Sequence, residues 1–318
     1  MKFRYLLIVI LMIFLANPSY ARKIKVVTST PDLKDMVENI CGEDVVVESL
    51  MRGPENHHAV PLKPSFLVKL SRCDALVVNG LEYEHAFIPG ALLAINKPNI
   101  QKGASHYVDT SKYVKPCEIP SKIDLGLGDL HPLGGSHIHI DPGNGILMCK
   151  VIYERMSSLY PEYGENWKPQ YENYVRQIYA EMQGLKEYVK GTEGLKIVFY
   201  HPGWTYLTDR FAWIKTSYVE QRSGIPPTPS HINHLIKIMR GESCRLMAIE
   251  VCYSLKIPKY VAKRVGNVKV IQIPHHAHAL PGCDTYLTFI ETLVKLIADA
   301  GREIMQNETG YPVRKQGE

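Results

Sequence analysis

The 318-residue chain has no Cys-x-x-Cys pair, no His-Glu-x-x-His and none of the tight cysteine and histidine spacing of a zinc finger. The compact signatures of dithiol redox sites and of common zinc sites are therefore missing. It also lacks a long run of like charge and any basic stretch interleaved with aromatics. With 37 basic against 32 acidic residues the formal balance is +5, and two of those charges, Lys2 and Arg4, lie at the extreme N-terminus. A nearly neutral chain patterned in this way is not a nucleic-acid binder. There is no short-period repeat and no low-complexity tract, although the tail from Glu303 is polar. The apolar stretch from Tyr5 to Ala16 is short for a membrane span of roughly 20 residues.

What is present is ordinary globular composition, 45% hydrophobic and 22% charged. A chain of this length should bury a large core and form two lobes. Residues 1–21, MKFRYLLIVILMIFLANPSYA, have a basic start, an apolar middle and a small-residue end at Ala21. That is the layout of a cleavable signal peptide, which sets the mature start near Arg22 and the address in the periplasm. No cysteine sits at the cleavage point to take a lipid. The seven cysteines are odd in number, so in an oxidising compartment at least one stays unpaired. Cys41, Cys73 and Cys149 fall in or at the ends of apolar helical stretches and read as small buried hydrophobes. The pairing of Cys244 with Cys252 is open.

After the signal, KIKVVTST is a β-branched run ending in turn residues, PDLKDMVENIC has helical spacing, and VVVESLM is a second strand. The loop RGPENHHAVPLK follows, then the helix PSFLVKLSRC and the strand DALVVNG. From about 143 to 190 the pattern turns long and amphipathic, broken around Pro161 and Pro169, as in a helical connector. Alternation then resumes with KIVFY, WTYLTDRF, SHINHLIKIMRG, RLMAIEV, VKVIQIP and TYLTFIETLVKLIADAG. These units predict an α/β fold of two parallel-sheet lobes joined by a long connector helix. The expected division is 22–142 for the N-terminal lobe, 143–191 for the connector and 192–318 for the C-terminal lobe.

The histidines cluster at or beyond the carboxyl ends of predicted strands, where open α/β sheets build their sites. His57 and His58 follow the second strand, and His137 and His139 precede an Asp-Pro helix start. His201 follows KIVFY, and His275, His276 and His278 follow VKVIQIP. Neutral imidazole is the commonest metal ligand, and three or four of them suit zinc, with copper and nickel also accepting this donor. If 137–139 were a strand, both of its histidines would share a face.

Three stretches occur in order: ENHHAVPLKPSFLVKLSRCDALVVNGLEYE, HIHIDP and KIVFYHPGWTYL. With the ending GCDTYLTFIETL, they resemble the metal-binding solute-binding proteins of bacterial ABC transporters for zinc and manganese, over nearly all of the mature chain. The resemblance implies metal ligands at His58, His137 and His201, with His275 first in line for the fourth place and His276, His278 and Asp284 behind it. Two departures stand out. Asn56-His57 replaces the family's Asp-Pro, so His57 could replace or assist His58, and His139 stands where the family has tryptophan. The implied function is capture of a divalent transition metal between the lobes, Zn2+ first and Mn2+ or another such ion next. The implied partner is an inner-membrane ABC permease, served by a monomer that performs no chemistry.

His85, His106, His231 and His234 read as surface residues. The loop around His131 could fold over the cleft. For His57 and His139 an outer supporting place is the competing reading. Glu82 and Glu84 could be such supports, though exposed acids at a helix start are the simpler assignment. A secreted metallohydrolase is the alternative function. It would need an open water position and a general base, and the eight strand-helix units of an amidohydrolase-like barrel are missing. A structural staple is the third, and it predicts unfolding on chelation.

Overall fold

The computed structural model describes residues 22–119, 133–221 and 224–309. Residues 1–21, where a signal peptide is expected, the loop around His131 and the extreme C-terminal tail lie outside them. Two four-stranded parallel sheets form the framework. In the first, β1 (Ile24–Thr28), β2 (Val45–Ser49), β3 (Ala75–Val78) and β4 (Tyr107–Asp109) are ordered β2-β1-β3-β4. In the second, β5 (Lys196–Phe199), β6 (Ile214–Tyr218), β7 (Leu246–Glu250) and β8 (Lys269–Ile273) are ordered β6-β5-β7-β8. The two lobes share one topology. In each, the chain reverses its direction of travel across the sheet between two central strands, β1 and β3 or β5 and β7. A crevice opens there at the carboxyl ends.

The helices α1 (Pro31–Cys41), α2 (Pro64–Arg72) and α3 (Ile88–Ile95) belong to the first lobe. Then come α4 (Pro142–Leu159) and α5 (Gly164–Tyr188). The second lobe carries α6 (Thr205–Arg210), α7 (Pro229–Gly241), α8 (Lys256–Val265) and α9 (Tyr286–Thr309). Local chemistry sets the key starts. Thr30 caps α1 through its hydroxyl, Pro31 supplies the helix-ready φ, and Asp32 lies in the first turn. Asp141 caps α4 by accepting from the Gly143 N–H at 2.8 Å, with Pro142 next.

The helical connector is made of two helices, with the break expected around Pro161. The chain breaks after Leu159, at the Tyr160-Pro161 step, where the residue before proline is pushed out of the α region. Pro169, expected as an interruption, sits inside α5. There, in the second turn, it withholds one backbone hydrogen bond without ending the helix.

One continuous core joins the lobes. Val26, Leu33 and Ile40 of the first lobe, Met148 and Ile152 of α4, Trp167 and Ile178 of α5, and Ile197, Phe199, Phe289 and Leu293 of the second form a single cluster. Polar stitches reinforce it. Trp167 Nε1–H donates to Asp44 at 2.9 Å, and the Tyr174 hydroxyl donates to Asp35 at 2.6 Å. The Tyr188 hydroxyl donates to Asp299 of α9 at 2.7 Å. Separate apolar layers lie under α2 and α3 and under α7 and α8. All seven cysteines are unbridged, with Cys41, Cys73, Cys149, Cys244 and Cys283 buried. No described helix is long and apolar enough to cross a membrane.

Candidate metal centre

Four imidazoles from both lobes meet between the sheets. His57, His58, His137 and His201 each offer a ring nitrogen, and these nitrogens all lie within 4.8 Å of one another. His57 and His58 open a 3-10 turn, His57–Ala59, capped by Asn56, whose side chain accepts the His58 N–H at 3.0 Å. Their loop can lie flush on the opposite lobe because residue 53 is glycine. A Cβ there would stand 2.2 Å from the Ala277 carbonyl oxygen.

His137 precedes another 3-10 turn, Ile138–Ile140, and not a strand. The tighter turn sends its two histidines apart: His137 joins the cluster, while His139 goes to a deeper group with Asp32 and His276. Gly203, at φ 129°, makes room for the His137 ring, since a Cβ would fall 2.2 Å from His137 Cδ2. His201 lies just beyond β5, after Tyr200. Its Nδ1 shares a hydrogen bond with Glu220 Oε2 at 3.1 Å, and both side chains are buried. This is the carboxylate support that orients a ligating histidine and strengthens its other nitrogen as a donor to metal. That other nitrogen, Nε2, lies 2.9 Å from His58 Nε2.

Burial and the neighbouring rings of His58, His137 and His201 hold His57 well below the usual histidine pKa, so it keeps a lone pair at neutral pH. Its Nε2 is buried and meets no hydrogen-bond partner among the described residues. The ring planes cross at 44° between His57 and His58, 58° between His58 and His201 and 82° between His57 and His137. In-plane lone pairs so disposed can converge on one point. The cavity lined by His57, His137 and His201, with Tyr83, Trp204, Glu250 and His275, holds about 10 Å³. That is room for roughly one water-sized guest. Crossed ring planes and a single-guest cavity fit one divalent ion.

The structure therefore brings His58, His137 and His201 together and adds His57. His275 is in the cavity wall but outside the group of four. Its Nε2 shares a hydrogen bond with the Glu55 carbonyl at 3.0 Å, and its buried Nδ1 meets no such partner among the described residues. His276 is deeper still, and His278 and Asp284 are exposed on the surface, 3.7 Å from each other. Glu84 corrects the expectation of an exposed acid. It is 5% exposed and accepts from the Ser29 hydroxyl and the Asn79 N–H, both at 2.6 Å. Glu82 is exposed, 3.9 Å from Lys102. Of the four surface histidines, only His234 is fully exposed; His85, His106 and His231 are half-buried, His85 with its ring 5.1 Å from that of His58. Glu220 and Tyr83 carry no motif, so sequence reasoning passes over both.

A family model described as "ZnuA: Zinc-uptake complex component A periplasmic" matches residues 26–300. The chain is 25% identical over 292 residues to the iron-binding protein YfeA of Yersinia pestis, covering 89% of this chain and 88% of that one. It is 24% identical over 249 residues to the metal ABC transporter substrate-binding lipoprotein SloC of Streptococcus mutans serotype c, covering 77% and 78%. A crystal structure of ZnuA matches with TM-score 0.72 at 19% identity, over 88% of this chain and 99% of that one. A Cd-bound periplasmic metal binding protein from Candidatus Liberibacter asiaticus matches with TM-score 0.71 at 19% identity, over 87% and 100%. At these identities the structural likeness speaks for the fold.

Proposed function

Because the chain belongs to the zinc-uptake component A family, we propose that its histidine cluster captures zinc in the periplasm and hands it to an inner-membrane permease. The family consists of substrate-binding proteins of metal ABC transporters, so the chain binds and releases and is not an enzyme. The observation that carries the finer reading is the all-imidazole set, with four donor nitrogens within 4.8 Å of one another and three of the four rings lining a cavity for one guest. Imidazole suits zinc, whereas manganese favours carboxylate and water oxygen. In this reading His58, His137 and His201 ligate, His57 completes the set of four, and His275 walls the cavity with a nitrogen in reserve. A set filled by protein nitrogens leaves no open water position for a hydrolase. The protein acts as a monomer, and a cleavable leader at 1–21 delivers it.

The test is elemental analysis of protein purified from the periplasm, followed by competition titration with zinc and manganese. One zinc per chain and tighter binding of zinc are expected, and His201→Ala should lower zinc affinity by at least tenfold, as loss of a ligand does. Preference for manganese would overturn the zinc reading. Unchanged affinity in His201→Ala would remove His201 from the site.

A further inference from the structure

Asp32, His139 and His276 are a second gathering of metal-type donors, fully buried and within 4.8 Å of one another. Their geometry argues against a second ion. The rings of His139 and His276 stack at 4.7 Å with only 12° between planes, so their in-plane lone pairs run side by side. His276 has both nitrogens engaged. Its Nδ1 shares a hydrogen bond with Asp32 Oδ2, and its Nε2 shares one with the Tyr83 hydroxyl at 2.7 Å. The other Asp32 oxygen accepts the Ala277 N–H at 2.7 Å. A polar chain thus runs from the start of α1 in one lobe, through the loop after β8 in the other, and back to Tyr83.

Tyr83 is where that chain meets the ion site. It is 1% exposed, and its ring lies flat on His57 at 4.0 Å and 8° and edge-on to His137 at 5.3 Å and 87°. It is delivered by a costly turn. Gly80, Leu81 and Glu82 all have positive φ, at 93°, 51° and 62°, a region that residues with a Cβ seldom enter. The buried Glu84 carboxyl group holds this turn through Ser29 and Asn79. Strain of this kind persists where surrounding contacts over-determine it.

We propose that Tyr83 is a positioning residue for ion capture: Asp32 and His276 fix its hydroxyl across the lobe boundary, and its ring fixes the plane of His57. Binding strength then depends on the register between the lobes without Tyr83 touching the ion. The inference rests on ligation by His57 in the reading above.

A double-mutant cycle on the mature chain tests it, with zinc affinity read by chelator competition and cobalt(II) visible spectra as a second readout. Tyr83→Phe keeps the ring and loses the hydroxyl. It should weaken zinc binding about tenfold, the usual effect of losing an outer support. It should also shift the cobalt bands while leaving the metal-free melting temperature within a few degrees. In a His57→Ala background the same change should have no further effect, because both act through one ligand. Asp32→Asn, at the far end of the chain, should show the same dependence on His57, and it stands in if Tyr83→Phe folds poorly. Wild-type affinity in Tyr83→Phe, or a full tenfold penalty persisting without His57, would overturn the proposal and leave the four-histidine site standing. Unchanged affinity in His57→Ala would bring down that ligand assignment and this proposal with it.

Discussion

Burial pulls the ionisable side chains around the cavity in opposite directions. It lowers His139, His275 and His276 from the usual 6.5 to about 3, because a charged imidazole loses its hydration there. It raises Glu84 from 4.5 to about 7 and Glu250 to about 8 for the same reason. The signs follow from proton uptake on unfolding. A histidine with a depressed folded pKa stabilises fully above 6.5, and that stability is lost as pH falls towards 3. A carboxyl with a raised folded pKa stabilises fully below 4.5, and that stability is lost as pH rises through 7 to 8. The two slopes oppose each other between 4.5 and 6.5. Urea unfolding of metal-free protein should therefore be most resistant in that window and weaken on both sides. A monotonic rise from pH 5 to 8 would contradict the neutral state of Glu84 and Glu250. Zinc affinity has its own dependence. It should fall as pH drops through the histidine range, because protons compete for the same lone pairs. At this scale the sequence was partly legible. Motif order singles out His58, His137 and His201, and these do converge. For the fourth place position ranks His275 first, whereas the gathered four include His57, because His57 is carried by the 3-10 turn capped by Asn56 and His275 is tied to Glu55, neither of which has a sequence pattern.

Among the elements, strands with strong apolar signals were readable and edge pieces were not. VVVES, ALVV and LMAIE announce themselves through β-branched and buried residues. β4 is three residues long, and β6, IKTSY, is an edge strand with no fully buried member, so neither shows alternation. α3, IPGALLAI, is apolar nearly all round and leaves Leu93 83% exposed, so it has no polar face to mark it as a helix. The start of α4 shows how much one residue can carry. Asp141 caps the helix and also receives Arg210 Nε–H and Nη2–H at 2.7 and 2.8 Å. Asp141→Ala should cost about 2 kcal/mol of unfolding free energy, combining the lost cap with a half-buried guanidinium left without its acceptor. Chemical denaturation would measure it, and a loss below about 0.5 kcal/mol would mean the cap is dispensable.

On the scale of the whole molecule, two lobes of the same strand order share one core through α4, α5 and α9. The two α/β units were legible from alternating patterns, whereas their fusion was not, because it depends on long-range contacts such as Trp167 with Asp44 and Tyr188 with Asp299. Stability should therefore reside in the apolar interior and not in the ion. Chelation is expected to leave circular dichroism unchanged, and excess zinc should raise the melting temperature by mass action. Unfolding on chelation would recast the ion as a structural staple.

The small size of the cavity between these lobes has a kinetic consequence. An ion held by these rings, with space for one guest and mostly buried walls, would leave a competing ligand little room to approach before it departs. Exchange should then be unimolecular: a scavenger in solution sets where the cargo finishes, while the protein's own opening motion sets when it departs. A transporter that needs its cargo promptly must accelerate that opening by touching the receptor.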